Sequence, residues 1–312
     1  MVKKKKIVTA RLWPRFEGKV SSRFTVISGL DSREFDTVII YLMKNSRQEN
    51  LFEEKGFPVF YLSEKKYFRF PNLKVIRKLV RVLRDNDVDI LQTHGHLATV
   101  YGTVAAKIAS TPVVFPHVPG LNRSRRFRRK LLNSIIFKWV NKILTTGEAV
   151  REDVLKSNFF LNKDKVVSIG NSIDFEAYSY PEIDKASLKE TLRLPPDSFV
   201  FGTVSRLVPT KGVGFLIDAF AAVHRARADT ELVIIGKGRL KQQLMEKARL
   251  AGCAESVYFL GQRDNVPELL NAFDAFLLAS IAEGMPRSLI EAMAAGIPCA
   301  ATNAGGVSET IH

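Results

Sequence analysis

The run FGTVSRLVPTKGVGFLIDAF, Phe201–Phe220, passes from a β-branched stretch through Arg206 and a turn carrying Pro209 to Lys211-Gly212, then into an apolar pattern at helical spacing. A strand that turns directly into a helix is the building step of a parallel α/β sheet, because parallel neighbours need a crossover between them. The step recurs downstream: strands are expected at Phe199–Ser205, Glu231–Ile235, Val257–Leu260, Ala275–Ala279 and Ile297–Ala301, with helices over 212–226, 239–251 and 288–295. Upstream, Ile7–Leu12, Thr37–Met43, Pro58–Leu62, Asp89–Thr93, Pro112–Pro116, Lys142–Thr146 and Lys165–Ile169 read as strands, with helical segments near 72–86, 97–109 and 124–140. The expected organisation is two Rossmann-like doubly wound halves. Between them Asp174–Asp197, with Pro181, Pro195 and Pro196, reads as a linker. A ligand of such a pair belongs beyond the carboxyl ends of the strands, in the cleft between the halves.

Composition agrees with a soluble globular chain: 312 residues, 46% apolar and 25% charged. Cys253 and Cys299 lie among small or apolar residues, so a reducing compartment is expected and a disulfide scaffold is not. No run of about 18 apolar residues occurs, and Ile7–Ala10 is too short for a signal-peptide core. The net charge of +15 is concentrated: residues 1–180 carry 33 Lys+Arg against 17 Asp+Glu, whereas residues 201–312 carry 11 of each. A basic half attracts phosphate, whether in a nucleic acid, an anionic membrane or a phosphorylated acceptor.

Arg206 and Lys211 bracket a strand-to-helix turn, where two cations beside a helix N-terminus suit a diphosphate. The Walker spacing is absent, so this is not an ordinary P-loop. In LVIIGKGRL, Gly236 and Gly238 occupy another strand-to-helix turn, and Gly18 lies on the loop after the first strand. His94, His96 and His117 fall at expected strand ends in the first half; His94 and His96 lack the carboxylate or cysteine partners of a metal site. Asp87-Val-Asp89 has the form of a metal-binding Asp-x-Asp but sits at the wrong end of its strand for that use. No metal ligand set is assigned.

In EGMPRSLIEAMAAG, Glu283–Gly296, Ser288 and Glu291 have the spacing of a capping box, with Ser288 as the cap and Glu291 reaching back to its N–H. That pattern accounts for Glu291 and leaves Glu283 without a structural reason. The densest basic run, Arg123, Arg125, Arg126, Arg128, Arg129 and Lys130, introduces an apolar stripe of Phe127, Leu131, Ile135 and Trp139, which helical spacing assigns to core contact. The basic segment also suits anionic headgroups, each cation there contributing about 1 kcal/mol. No nucleic-acid-binding module accompanies it.

SRLVPTKG, LVIIGKGRL, VYFLGQRDNVPELLNAFDAFLLAS and AEGMPRSLIEAMAAGIPCAATNAGGVSETI, in that order, resemble the donor half of family-4 glycosyltransferases, the group 1 retaining enzymes of the GT-B fold. In the first half the likeness runs through Gly18, His94/His96, VVFPH, TTGEAV and SIGNSIDFEAY. The family's Gly-Gly on the first loop is Glu17-Gly18-Lys19 here, and its Asn-Gly-Ile-Asp is Asn171-Ser172-Ile173-Asp174.

The resemblance implies an α/β, GT-B architecture with an acceptor-side domain over 1–180, a linker at 181–198 and a nucleotide-sugar domain over 199–312. The family continues past the GGVSETI position, so this last domain is expected to be incomplete at His312.

The resemblance also distributes roles. Arg206 and Lys211 would hold the diphosphate, Glu291 the ribose, and Glu283 the sugar. The backbone of Gly284, Met285, Pro286, Arg287, Ser288 and Leu289 would face sugar and β-phosphate, with Gly236 and Gly18 nearby. His117 would stand by the anomeric carbon as a catalytic residue beside Glu283, and His94 and His96 would touch acceptor or sugar. Implied with these are retention of configuration, no metal or other cofactor, a UDP-sugar donor, and a glycan or glycolipid acceptor in surface polysaccharide or lipopolysaccharide synthesis. A cytoplasmic location, peripheral on the inner membrane face, follows from the same likeness. A sugar-nucleotide epimerase on the same fold, a truncated relative that only binds donor, and a non-catalytic basic protein for nucleic acid or anionic lipid remain as alternatives.

Overall fold

Strands buried on both faces are largely apolar, and residues 38–43 and 232–235, buried throughout, are such runs. In the computed structural model, which describes residues 6–16, 21–64, 71–123, 127–178 and 184–311, the chain forms two compact units, residues 1–170 and 171–312.

The first unit runs β1 (Ile7–Phe16), α1 (Ser21–Ser28), β2 (Phe35–Lys44), α2 (Leu51–Glu54), β3 (Val59–Tyr61), α3 (Leu73–Asp85), β4 (Ile90–His94), α4 (His96–Ala109), β5 (Val113–Val118), α5 (Phe127–Ile136), β6 (Ile143–Thr145), α6 (Glu148–Ser157) and β7 (Val166–Ser168). Its seven strands are parallel in the order β3-β2-β1-β4-β5-β6-β7. Ala10, Leu12, Leu91 and Val114 pack on one face with Leu79 and Tyr101 from the helices. Trp13, Ile39 and Tyr41 pack on the other with Ile27 and Phe52.

The second unit runs α7 (Lys185–Thr191), β8 (Phe199–Val204), α8 (Val213–Ala226), β9 (Thr230–Ile235), α9 (Lys241–Leu250), β10 (Val257–Gly261), α10 (Val266–Leu270), β11 (Ala275–Leu278), α11 (Arg287–Ala294) and β12 (Cys299–Ala301). Its parallel sheet has the order β10-β9-β8-β11-β12. β9, TELVII, is buried at every position. Each sheet is covered on both sides, so each unit is doubly wound in the Rossmann manner.

Two expectations change here. The stretch read as a linker contains α7, which belongs to the second unit. Asp184 caps it, accepting from the amides of Ala186 and Ser187, and Lys185 Nζ reaches Asp274 at 2.6 Å. Buried Lys189 donates to the carbonyls of Pro196 and Ser198 at 2.9 and 2.7 Å. Pro195 and Pro196 follow the helix rather than interrupt it.

The second change concerns α5. It buries Asn133 and Ile136, followed by Phe137 and Val140, and leaves Phe127, Leu131, Ile135 and Trp139 exposed. The stripe exists as the spacing predicts, but it is the outward one. The segment carries two apolar faces, and periodicity alone cannot choose between them.

Candidate functional site

In the second unit the strand order reverses between β8 and β11, the position where such sheets open to a ligand. β8 delivers Ser205–Lys211 to this edge and β11 delivers Ala279–Pro286, so side chains far apart in sequence meet. Lys211 Nζ donates to Glu283 Oε1 at 2.5 Å, with side-chain exposures of 18% and 9%. Ser280 Oγ donates to the same oxygen at 2.5 Å. The Glu283 carbonyl accepts from the Gly306 amide at 3.0 Å, and the Ile281 amide donates to Thr210 O at 2.9 Å. The two loops are thereby tied together and to the turn after β12. Arg206, by contrast, is exposed, and its side chain has no hydrogen bond or ion pair among the described residues, only its carbonyl accepting from the Val208 amide at 2.9 Å.

Close backbone approach fixes the glycines of this edge. A Cβ on Gly236, whose φ is +142°, would fall 1.9 Å from the Ser205 carbonyl oxygen. Its glycine identity is therefore required by packing between the ends of β8 and β9. A Cβ on Gly306 would fall 1.6 Å from Gly284 O. Gly306→Ala is expected to displace the Gly284 carbonyl, destabilise the chain by about 1–3 kcal/mol and lower the affinity of any ligand seated on the 284–289 backbone. Chemical denaturation and ligand titration of this variant check it.

The helix that follows corrects the capping-box expectation. Pro286, not Ser288, is the N-cap residue of α11, with φ −77° and ψ 107°, and no side chain caps the helix. Ser288 is already inside the first turn. Proline fixes the φ that the chain needs to enter the helix. Glu291 is consequently not turned back to its own helix start. It lies 3.4 Å from Arg287 Nη2 and beside the Tyr178 hydroxyl, a half-buried phenol whose pKa is raised by burial first and by the Glu291 charge second. Asn171 Nδ2 donates to Met285 O at 2.7 Å, steadying the Gly284-Met285 turn. The backbone amides of Arg287 and Ser288, at the start of α11, lack intrahelical acceptors and are left as donors at this edge, whereas the Leu289 amide already donates to the Pro286 carbonyl at 3.2 Å.

Neither Tyr178 nor Asn171 was identified from sequence as part of this cluster. Both lie in SIGNSIDFEAY, a segment that sequence alone placed with the first half.

In the first unit the order reverses between β1 and β4. His94 closes β4, His117 lies opposite it on β5, and His96 opens α4. A row of rings crosses the sheet: Tyr61 on Tyr41 at 5.6 Å, Tyr41 on Trp13 at 5.7 Å, Trp13 on His94 at 4.7 Å and His94 edge-on to His117 at 5.2 Å. His94 is therefore engaged in ring packing. His117 Nδ1 is buried without a hydrogen-bond partner among the described residues.

Burial, then the Arg11 charge, holds His117 at about 4; burial, then Arg129, does the same to His96. Both imidazoles are neutral at pH 7. Because the unfolded chain takes up these protons near pH 6.5 and the folded chain does not, the stability they contribute is complete above pH 6.5. It is lost as pH falls toward 4. His117→Gln should flatten that acid limb in urea denaturation measured from pH 7 to 4, and an unchanged profile would contradict the assignment.

Gly18, Arg125 and Arg126 lie outside the described residues. A cavity of about 520 Å³ lined by Ile27, Asp36, Thr37, Phe57, Pro58 and Asn86 sits toward the amino ends of β1–β3, away from the histidines, and contains none of the candidate residues. Among the described residues no group of three or more His, Cys, Asp or Glu is placed to hold a metal, and no helix is long and apolar enough to cross a membrane.

Sequence families match both units: that described as "Glycosyl transferases group 1" over residues 184–312 and that described as "Glycosyltransferase Family 4" over 24–177. The UDP-Gal:alpha-D-GlcNAc-diphosphoundecaprenol alpha-1,3-galactosyltransferase of Escherichia coli is 29% identical over 247 residues, covering 75% of this chain and 63% of that enzyme. The chain spans roughly three fifths of the length of the first curated relatives it matches. Among solved structures, Anabaena HepE in complex with UDP superposes with a TM-score of 0.78 at 22% identity, covering 99% of this chain and 83% of that one. WaaG, a glycosyltransferase involved in lipopolysaccharide biosynthesis, gives 0.73 at 16% identity, covering 97% and 83%. These superpositions match the two parallel-sheet units to the GT-B fold.

Proposed function

The chain belongs to the family-4, group 1 glycosyltransferases, and from that premise we propose that it transfers a hexose, with retention, from a UDP-sugar to a glycan or glycolipid acceptor in the synthesis of a bacterial polysaccharide or lipopolysaccharide. The observation that carries this reading is the edge between β8 and β11. An unpaired Arg206 stands near a Lys211 whose ammonium spends only one of its three donors on Glu283.

Breaking the glycosidic bond moves negative charge onto the β-phosphate, and cations fixed in place stabilise it as it forms. Arg206 supplies a planar fork for two phosphate oxygens. Lys211 supplies the second charge, its position fixed by Glu283 before any ligand arrives. The Glu283 carboxylate, with Oε1 taken by Lys211 and Ser280, keeps Oε2 for a hydroxyl of the sugar. Glu291, held by Tyr178 and Arg287, accepts from the ribose, and the first amides of α11 donate to sugar and phosphate. His117, neutral at pH 7, is the first-unit group we assign to the sugar at its anomeric carbon. With the leaving phosphate able to take the acceptor's proton, the reaction needs neither a side-chain nucleophile nor a metal.

The names of relatives support the donor and acceptor classes: the E. coli enzyme is named for UDP-Gal and a diphosphoundecaprenol-linked acceptor, and HepE has been solved with UDP-glucose. Donor hydrolysis and transfer assayed in EDTA test the proposal. Full activity with the chelator and an α-configured product from an α-configured donor are expected. A strict requirement for Mn²⁺ or Mg²⁺, or an inverted product, would refute it. Tyr178→Phe should raise KM for the donor several-fold with kcat little changed, because it loosens a binding carboxylate and touches no reacting atom.

A further inference from the structure

The outward stripe of α5 is one side of a larger apolar surface. Phe127, Leu131 and Ile135 stand one turn apart on the same side of the helix, 69%, 56% and 48% exposed, and Trp139 follows. Next to them lies the turn after α6, where Phe159 is half exposed and Phe160 wholly so. Two contacts bind the turn to α5. Lys130 Nζ sits 5.6 Å over the Phe159 ring, and Asn133 Nδ2 donates to Asn158 Oδ1 at 2.8 Å. Phe160 has φ +55°, a left-handed conformation unfavourable for a bulky residue, and it holds an aromatic ring out in water. An exposed apolar surface of this extent marks an interaction site.

Its charge identifies the partner. The 58 residues between Asp89 and Glu148 contain nine Lys+Arg and no acidic residue. Arg123, Arg128 and Lys138 are exposed around the stripe, and Lys130 is at its centre. Large apolar side chains rimmed by cations, on a helix whose opposite side is anchored in the core by Leu132 and Ile136, match the boundary between anionic headgroups and acyl chains. A nucleic acid would use the cations and leave six large apolar groups in water.

We propose that α5 and the Phe159–Phe160 turn form a docking face for an anionic phospholipid bilayer, with Phe127, Leu131, Ile135 and Phe160 entering the interface and Arg123, Arg128, Lys130 and Lys138 meeting headgroup phosphates. This docking does not depend on sugar transfer, so its test needs no turnover.

The test is co-sedimentation of the chain with vesicles of phosphatidylcholine alone and of phosphatidylcholine mixed with phosphatidylglycerol. Binding is expected to the mixed vesicles only. Arg128→Glu with Lys130→Glu should weaken it at least about tenfold, and Phe160→Ser or Leu131→Gln with Ile135→Gln should do so without changing the circular dichroism spectrum, since all three side chains are exposed. Equal binding to both vesicle types, unimpaired binding by the apolar variants, or preferential binding to single-stranded RNA over the mixed vesicles would overturn the proposal.

Discussion

Arg206→Ala is expected to lower kcat/KM for sugar transfer by about 10²–10³-fold, the usual cost of deleting one fixed donor to a developing charge, while the melting temperature stays that of the parent. The second half of this prediction follows from the side chain's surroundings. The Arg206 side chain is exposed and has no partner among the described residues, so its removal breaks no contact of the folded chain. Loss of function without loss of stability is the signature of a residue kept for a ligand. If the variant melted several degrees lower, Arg206 would have an unseen structural role, and its assignment to the diphosphate would lose its main support.

Lys211→Ala should behave differently although the two cations are five residues apart. Among the described residues its ammonium is the only charged partner of the Glu283 carboxylate, whose side chain is 9% exposed. Removing one member of a buried ion pair leaves an uncompensated charge, a loss of about 3–5 kcal/mol. For a chain of this size that lowers the melting temperature by roughly 10 °C. Activity should fall at least as far as in Arg206→Ala. The double variant Lys211→Met, Glu283→Gln separates the two effects, since replacing both charges removes the burial penalty. It should recover most of the stability and none of the transferase activity. Recovery of activity with stability would mean that the pair serves the fold alone.

These contrasts depend on contacts that no local reading of the sequence supplies. The alternation of strands and helices was legible because most strands are short apolar runs rich in β-branched residues and many of the turns carry glycine or proline, and the observed strands overlap all twelve expected ones. The strand-turn-helix at 201–220 likewise placed Arg206 and Lys211 at one edge. Its pairing with Glu283 was not legible: the residues are 72 positions apart, and they meet because β8 and β11 are neighbours in the sheet.

Where local patterns were used alone they misled twice. Ser-x-x-Glu at 288–291 has the spacing of a capping box, but Pro286 starts the helix earlier and frees Glu291 for Tyr178. The stripe 127/131/135 has helical period, but Ile136 and Phe137 face the core in its place. In both cases the periodicity was right, and its orientation was set by residues outside the pattern. The Tyr178–Glu291 contact was hidden for a related reason, since Tyr178 lies in the second unit, after the chain has left the first at Gly170.

We propose that the edge between β8 and β11 receives a nucleoside diphosphate sugar without a metal. Calorimetric titration of UDP-glucose in EDTA, into the parent chain and into Arg206→Ala, tests it directly. Saturable binding at one site on the parent is expected, with a loss of affinity of at least about tenfold in the variant, the scale of a charge-assisted contact to phosphate. Absence of binding to the parent at millimolar ligand, or equal affinity for both chains, would contradict it.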